Sequence, residues 1–159
     1  MVPVLKYFLP VVFSLSCTTG LAQKPTTVKP ATFQKFTPPK LTSVLGIRSD
    51  SAVVYLEEAL QLVKLPLKIT DDKKNVYTIS SYQFMYKRRA VTEDEATGKV
   101  MPVMSNVMDL FRATPLPALW INILTTQMRP GEELYFFDIV AKDAQGRLMF
   151  APTLRIRIK

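Results

Sequence analysis

The chain has 159 residues, of which 48% are hydrophobic, 21% charged and 10% aromatic, the balance of one folded domain rather than of a disordered or fibrous chain. It carries 21 basic and 13 acidic residues, a net charge of +8, no histidine, and a single cysteine, Cys17. These absences exclude a Ser-His-Asp triad, a Cys-His nucleophile, a histidine-bearing zinc site and a disulfide framework within the chain.

Residues 1–22 read as an export signal. Lys6 supplies one positive charge, and Tyr7 to Ser16 (YFLPVVFSLS) is an apolar run of ten positions. That is the length of a signal-peptide core and about half of the roughly 20 residues that span a bilayer. Gly20 and Ala22 put small side chains at the third and first positions before Gln23, so cleavage is expected between Ala22 and Gln23. The alternative is lipid attachment at Cys17, which follows the small residue Ser16. Either way the protein is expected to be exported, to the periplasm or the outer membrane.

Gln23 to Ser43 holds four prolines, four lysines and no acid, and reads as an extended basic tether. Sixteen of the 21 basic residues and all 13 acids follow it, so the domain expected from Val44 to Lys159 is nearly balanced in charge. A charge concentrated in a linker is poor evidence for a nucleic-acid surface, and no nucleic-acid partner is expected. Membrane contact is expected only through a lipid on Cys17 or through this linker.

Within the domain the signals are mostly those of strands. Leu56 to Val63 and Val103 to Phe111 fit either helix or strand. Leu65, Leu67 and Ile69 alternate with polar positions, and Pro66 points to an edge strand. Asp71 to Asn75 reads as a turn. Val76 to Tyr86 (VYTISSYQFMY) is a strand whose alternation slips at Ser80-Ser81, where a bulge is expected. Lys87-Arg88-Arg89 and Thr92 to Lys99 read as a long polar loop. Pro117 to Met128 predicts a short helix carrying Trp120 and Leu124, ended by Arg129-Pro130-Gly131. Glu132 to Asp143 is apolar on both parities, which predicts a central strand covered on both faces. Ala144-Gln145-Gly146 is a hairpin turn, and Leu154, Ile156 and Ile158 alternate with Arg155, Arg157 and Lys159 in a last strand with one wet, basic face. The fold expected is an antiparallel β-sandwich with one or two short helices.

The run Pro130 to Asp143 (PGEELYFFDIVAKD), with Gly146 in the turn and a basic alternating strand to the C-terminus, resembles the end of the C-terminal domain of the GldM/PorM family of gliding-motility and type IX secretion proteins of Bacteroidetes. Ile79-Ser80-Ser81-Tyr82 resembles that family's "V-x-S-F" strand, and Pro38-Pro39 with Leu45-Gly46 its domain entry. Glu132 stands where the family commonly has Asp. The likeness spans roughly Pro38 to Lys159. It implies an immunoglobulin-like β fold, no catalysis, homodimers, and contacts with other envelope proteins, secretion or gliding components among them. Full members carry a transmembrane helix and several domains, so their motor role is not carried over to a chain read as signal, tether and one domain.

Chemistry-bearing clusters are few. Glu57-Glu58, Glu93-Asp94-Glu95 and Glu132-Glu133 are paired acids, but neighbours on a strand point to opposite faces, and solvated charge is the expectation for all three. Asp138, among apolar residues of its strand, is expected to lie at a sheet edge or to have a structural partner such as an arginine, with an interface contact as the functional alternative. Tyr82, Phe84 and Tyr86 beside Lys87, Arg88 and Arg89 have the makings of a stacking platform, although a core strand fits them better. No cofactor is expected. The expected function is a non-catalytic interaction module, with Arg155, Arg157, Lys159, Lys87, Arg88 and Arg89 as its surface. The alternative is a module that binds glycans or anionic lipids through the basic linker and exposed aromatics.

Overall fold

The computed structural model describes residues 36–159. The signal segment, Cys17, the Ala22–Gln23 cleavage point and most of the tether lie outside the described residues. Among the described residues the chain is mostly β, with nine strands and two short helices. The sheet is mixed and nearly closes into a barrel.

Strand β1 (Leu41–Leu45) turns Leu41, Ser43 and Leu45 inward and begins three residues before the expected boundary at Val44. At Gly46 a Cβ would stand 2.8 Å from Leu62 Cδ2, and φ is +62°, so the turn into β2 (Arg48–Ser49) requires glycine. After Asp50, which has φ of +58°, β3 (Ser51–Val54) leaves β1 and pairs in parallel with β9 (Leu154–Ile158) at the opposite end of the sheet. One short stretch of chain thus serves both ends of the order β2-β1-β4 (Leu67–Asp71)-β5 (Val76–Glu93)-β7 (Glu133–Lys142)-β9-β3, and this is what nearly closes it. The parallel pair also corrects the expectation of a wholly antiparallel sheet. Ser43 Oγ donates to Pro152 O across the interior (2.5 Å).

Leu56 to Val63 resolves as helix α1 (Leu56–Leu62), with Ala59, Leu62 and Val63 buried. Strand β4 (Leu67–Asp71) is interior, between β1 and β5 (Val76–Glu93), not at an edge. Pro66 precedes the ladder, so its missing N–H costs no sheet bond. The Asp71 carboxylate closes the β4–β5 turn by accepting from Lys73 N, Asn75 N, Asn75 Nδ2 and Tyr77 OH.

The slip in β5 is real. Its register against β7 (Glu133–Lys142) shifts between Ile79 and Ser81 and again between Ser81 and Gln83. The first shift places an extra residue in β5. The second places one in β7 at Asp138, whose φ is +48°. Inward residues of β7 therefore change from Leu134 and Phe136 to Ile139 and Ala141. That change of parity, rather than cover on both faces, is why the segment reads as apolar throughout. Asp138 is exposed and accepts from Gln83 Nε2 (2.9 Å), so it is neither buried nor paired with an arginine.

Lys87, Arg88 and Arg89 are not in a loop. Strand β5 continues through them to Glu93, and β6 (Val100–Phe111) pairs with it along its whole length. Asp94 makes the tight connection, its Oδ1 accepting from Ala96 N and Thr97 N. Helix α2 (Ala118–Gln127) lies over the inner face of this pair. Trp120 meets Phe84 edge-on at 5.2 Å and Phe111 at 6.1 Å, and Phe84 stacks obliquely on Phe136 at 5.0 Å. Tyr82, Phe84 and Tyr86 are essentially inaccessible. They are core, not a stacking platform. Burial pushes the Tyr82 hydroxyl up to about 12, and it donates to Ala113 O (3.1 Å). The β7–β8 hairpin, with β8 at Leu148–Ala151, turns where expected, and Asp143 Oδ1 accepts from Gln145 N and Arg147 N.

Candidate interaction surface

Two features of the outer surface stand out, an ionic row across β5, β7 and β9 and the open edge of β6.

The row is centred on Glu133. Sheet register aligns Lys87, Glu133 and Arg157 across three strands, with Met85, Tyr135 and Arg155 in the next row. Glu133 accepts from Arg155 Nη2 at 2.7 Å, Arg157 Nε at 2.9 Å and Tyr135 OH at 2.5 Å. The residue is only 4% exposed, because these side chains lie over it. The expectation of a solvated acid fails here, and the face of β9 expected to be wet and basic is part of an ion cluster. The Tyr135 hydroxyl, then Arg155 and Arg157, hold the Glu133 carboxyl down from its ordinary 4.5 to about 2 against the opposing effect of burial. A carboxyl depressed in the folded state contributes stability above its unfolded value and loses it as pH falls through the folded one. Stability is therefore expected to drop by about 2 kcal/mol between pH ~4.5 and ~2, the half-exposed arginines moderating the effect. Urea titrations across that range read it, and Glu133→Gln should remove this part of the slope.

The other expected basic residues scatter. Lys159 Nζ sits over the Tyr55 ring at 4.1 Å. Arg88 projects to the inner side, its Nη1 donating to Gln127 Oε1 (3.3 Å). Arg89 projects outward, its guanidinium packed on Gly131. The six residues do not form one patch, although Lys87, Arg155 and Arg157 share a face.

Glu132, also buried, does something different. Strand β7 begins at Glu133, so β5 loses its partner there. The Glu132 carboxylate replaces the missing rung, with Oε1 accepting from Arg89 N (2.9 Å) and Oε2 from Arg129 N (2.8 Å) and from Tyr86 OH. Its main chain holds the last strand, since Ile158 N donates to Glu132 O (3.0 Å). The two adjacent acids thus point to opposite sides and each is saturated by its own donors. They do not converge on a common point as an acid/base pair must.

Beyond this anchor the β5–β6 arm runs on as two strands. Among the described residues strand β6 pairs with β5 alone, so its other edge is open along the strand's twelve residues. Asp94 N donates to Lys99 O (3.0 Å), which makes that pair a hydrogen-bonded one. Antiparallel alternation from there turns the N–H and C=O of the even-numbered residues of β6 outward. Leu110 N agrees, donating to Asp109 Oδ1 (2.8 Å) instead of to β5. The outer face of β6 itself is apolar apart from Asn106: Met104, Met108 and Leu110 are 45%, 58% and 55% exposed and Val100 more so, with Val91, Lys87 and Arg89 of β5 alongside. A shallow hollow of about 230 Å³ lies between Arg89, Pro102, Val103 and Met104. Nothing in the sequence reading placed a site residue on β6. Its own signal was available, since Met104, Met108 and Leu110 are large apolar residues on the parity opposite to Val103, Val107 and Phe111.

Elsewhere, a hollow of about 370 Å³ lies beside Phe36, Tyr77, Asp143 and Arg147, where Asp143 is ion-paired to Arg147 at 2.6 Å. Among the described residues no group of three or more Cys, Asp or Glu could hold a metal ion, and no helix is long and apolar enough to cross a membrane. No protein-family model and no curated protein matches the chain.

Proposed function

We propose that this chain is an exported, non-catalytic protein of the cell envelope that acts by protein–protein contact through the open edge of β6. The observation that carries the reading is that edge: one side of a twelve-residue strand left without a partner among the described residues, beside a largely apolar outer face. Unpaired main-chain donors and acceptors beside apolar side chains are a template for strand addition. Folded proteins ordinarily blunt such an edge with charge, and β6 carries one charged residue, Asp109. The saturation of Glu132 and Glu133 supports a role without catalysis.

Likeness to the C-terminal domain of the GldM/PorM family supports the same reading. It adds an immunoglobulin-like assignment of the sheet and partners among secretion or gliding components. The sequence of residues 1–22 supports export to the periplasm or outer membrane.

Crosslinking of envelope fractions from producing cells tests the proposal. A small set of recurring adducts is expected, reduced at least several-fold by M104K/M108K. Monomer alone, or adducts indifferent to those substitutions, contradicts it. The intact mass of the isolated protein is expected to begin at Gln23. A lipid-bearing Cys17 or an uncleaved chain contradicts signal-peptidase processing.

A further inference from the structure

We infer that the occupant of the β6 edge is the same edge of a second copy, paired antiparallel about a twofold axis through Asn106. The inference rests on reading β6 as the working surface and names its partner.

The pattern of blocked donors carries it. Of the outward-facing even positions, Pro102 has no N–H to offer, and the N–H of Leu110 is already taken by the Asp109 carboxylate. These two positions lie four residues to either side of Asn106. Between them Met104, Asn106 and Met108 keep outward main-chain groups free. An edge blunted at equal distances from its midpoint is complementary to itself when one copy is turned end over end.

In that register Met104 of one copy faces Met108 of the other, and Asn106 faces Asn106. These three hydrogen-bonded pairs give about six main-chain bonds. Neither blocked position needs to donate, because Pro102 and Leu110 meet each other just past the last pair. The side chains agree with the backbone. Methionine meets methionine on the outer face, where each is about half exposed in the single copy. On the other face Ser105 meets Val107, and Asp109 meets Val103, so no charge opposes a like charge. Residues 104–108 carry no charge at all. The result is one sheet continuing through two molecules, with β6 an internal strand in each.

A foreign strand would find the same donors, but would have no reason to match a block at both ends equally spaced from the centre. Self-pairing explains both blocks at once.

Two measurements test this on the full chain carrying Cys17→Ser. Sedimentation is expected to show a concentration-dependent species of about twice the 18.0 kDa chain mass, and M104K/M108K to return it to monomer. These positions are exposed, and an unchanged far-ultraviolet spectrum confirms that the variant is folded. In the second, Asn106→Cys puts two thiols on the axis. Their Cα atoms are then about 5.5 Å apart, within disulfide range. Mild oxidation is expected to give a covalent dimer. Val100→Cys lies on the same strand but about 40 Å from its copy in this register, and should give none. Monomer at every concentration overturns the inference, as does a dimer indifferent to M104K/M108K, or equal crosslinking at 100 and 106. A chain that stays monomeric yet forms adducts with another envelope protein through β6 overturns the second copy as occupant. It leaves the reading of the edge as an interaction surface standing.

Discussion

Replacing Glu132 by alanine is expected to destabilise the fold by about 4 kcal/mol, more than a charge on a protein surface ordinarily contributes. The reason is the donors it leaves behind. Arg89 N and Arg129 N lose their acceptor, and Tyr86 OH, at the inner end of the same cluster, loses its own. Each buried donor left unpaired costs about 1–3 kcal/mol, and the methylenes of the glutamate are lost as well. Glu132→Gln keeps one carbonyl acceptor but turns the other oxygen into a donor, so about half of the loss is expected to remain. Urea denaturation of wild type and both variants reads this. A cost below about 1 kcal/mol for Glu132→Ala would mean that the carboxylate does not close the end of the ladder.

Phe84→Ala should cost about the same, 3–5 kcal/mol, by a different route. Phe84 lies between Trp120, Phe111 and Phe136, and ties helix α2 to the sheet. Removing it opens a cavity that the helix cannot follow without releasing Trp120, whose Nε1 donates to Asp109 Oδ2 (3.3 Å). Met108→Ala, one strand away on the outer face, is expected to change the stability of the single copy by no more than about 0.5 kcal/mol. That contrast separates a filled interior from a free surface. Similar costs for the two would erase the distinction on which the interaction surface depends.

The elements legible in the sequence were those with local causes. Helix α2 follows from proline at its start and from Trp120 and Leu124 on one side. The shift at Ser80-Ser81 shows as a change of parity, and the turns at Asp71–Asn75 and Asp143–Gly146 show in their chemistry. The elements left open or misread had causes elsewhere in the chain. Val103, Val107 and Phe111 are four apart, a spacing that is close to one helical turn and also even, so it fits helix and strand alike. Only pairing with β5 decides it. Lys87 to Arg89 read as loop because three successive charges suit solvent, yet they alternate along a strand, Lys87 and Arg89 on its outer face and Arg88 against Gln127.

The site was less legible still. Arg155 and Arg157 share one strand face, as their alternation implies, but Glu133, the acid that joins them, lies more than twenty residues away in sequence. Glu132 and Glu133 next to Gly131 look solvated because most of their donors come from β5 and β9. The apolar outer face of β6 leaves a local signal in Met104, Met108 and Leu110, but that its edge is open cannot be read locally. An edge is a statement about which strand is missing beside it.

Site-specific photo-crosslinking in intact producing cells tests most directly whether that edge is where the protein works. A crosslinking residue at position 104 or 108 should give discrete adducts in high yield. The same residue at 76 or 119, positions whose native Val76 and Leu119 are 73% and 69% exposed on other elements, should give few. Adducts concentrated at 76 or 119, or spread evenly over all four positions, would place the working surface elsewhere.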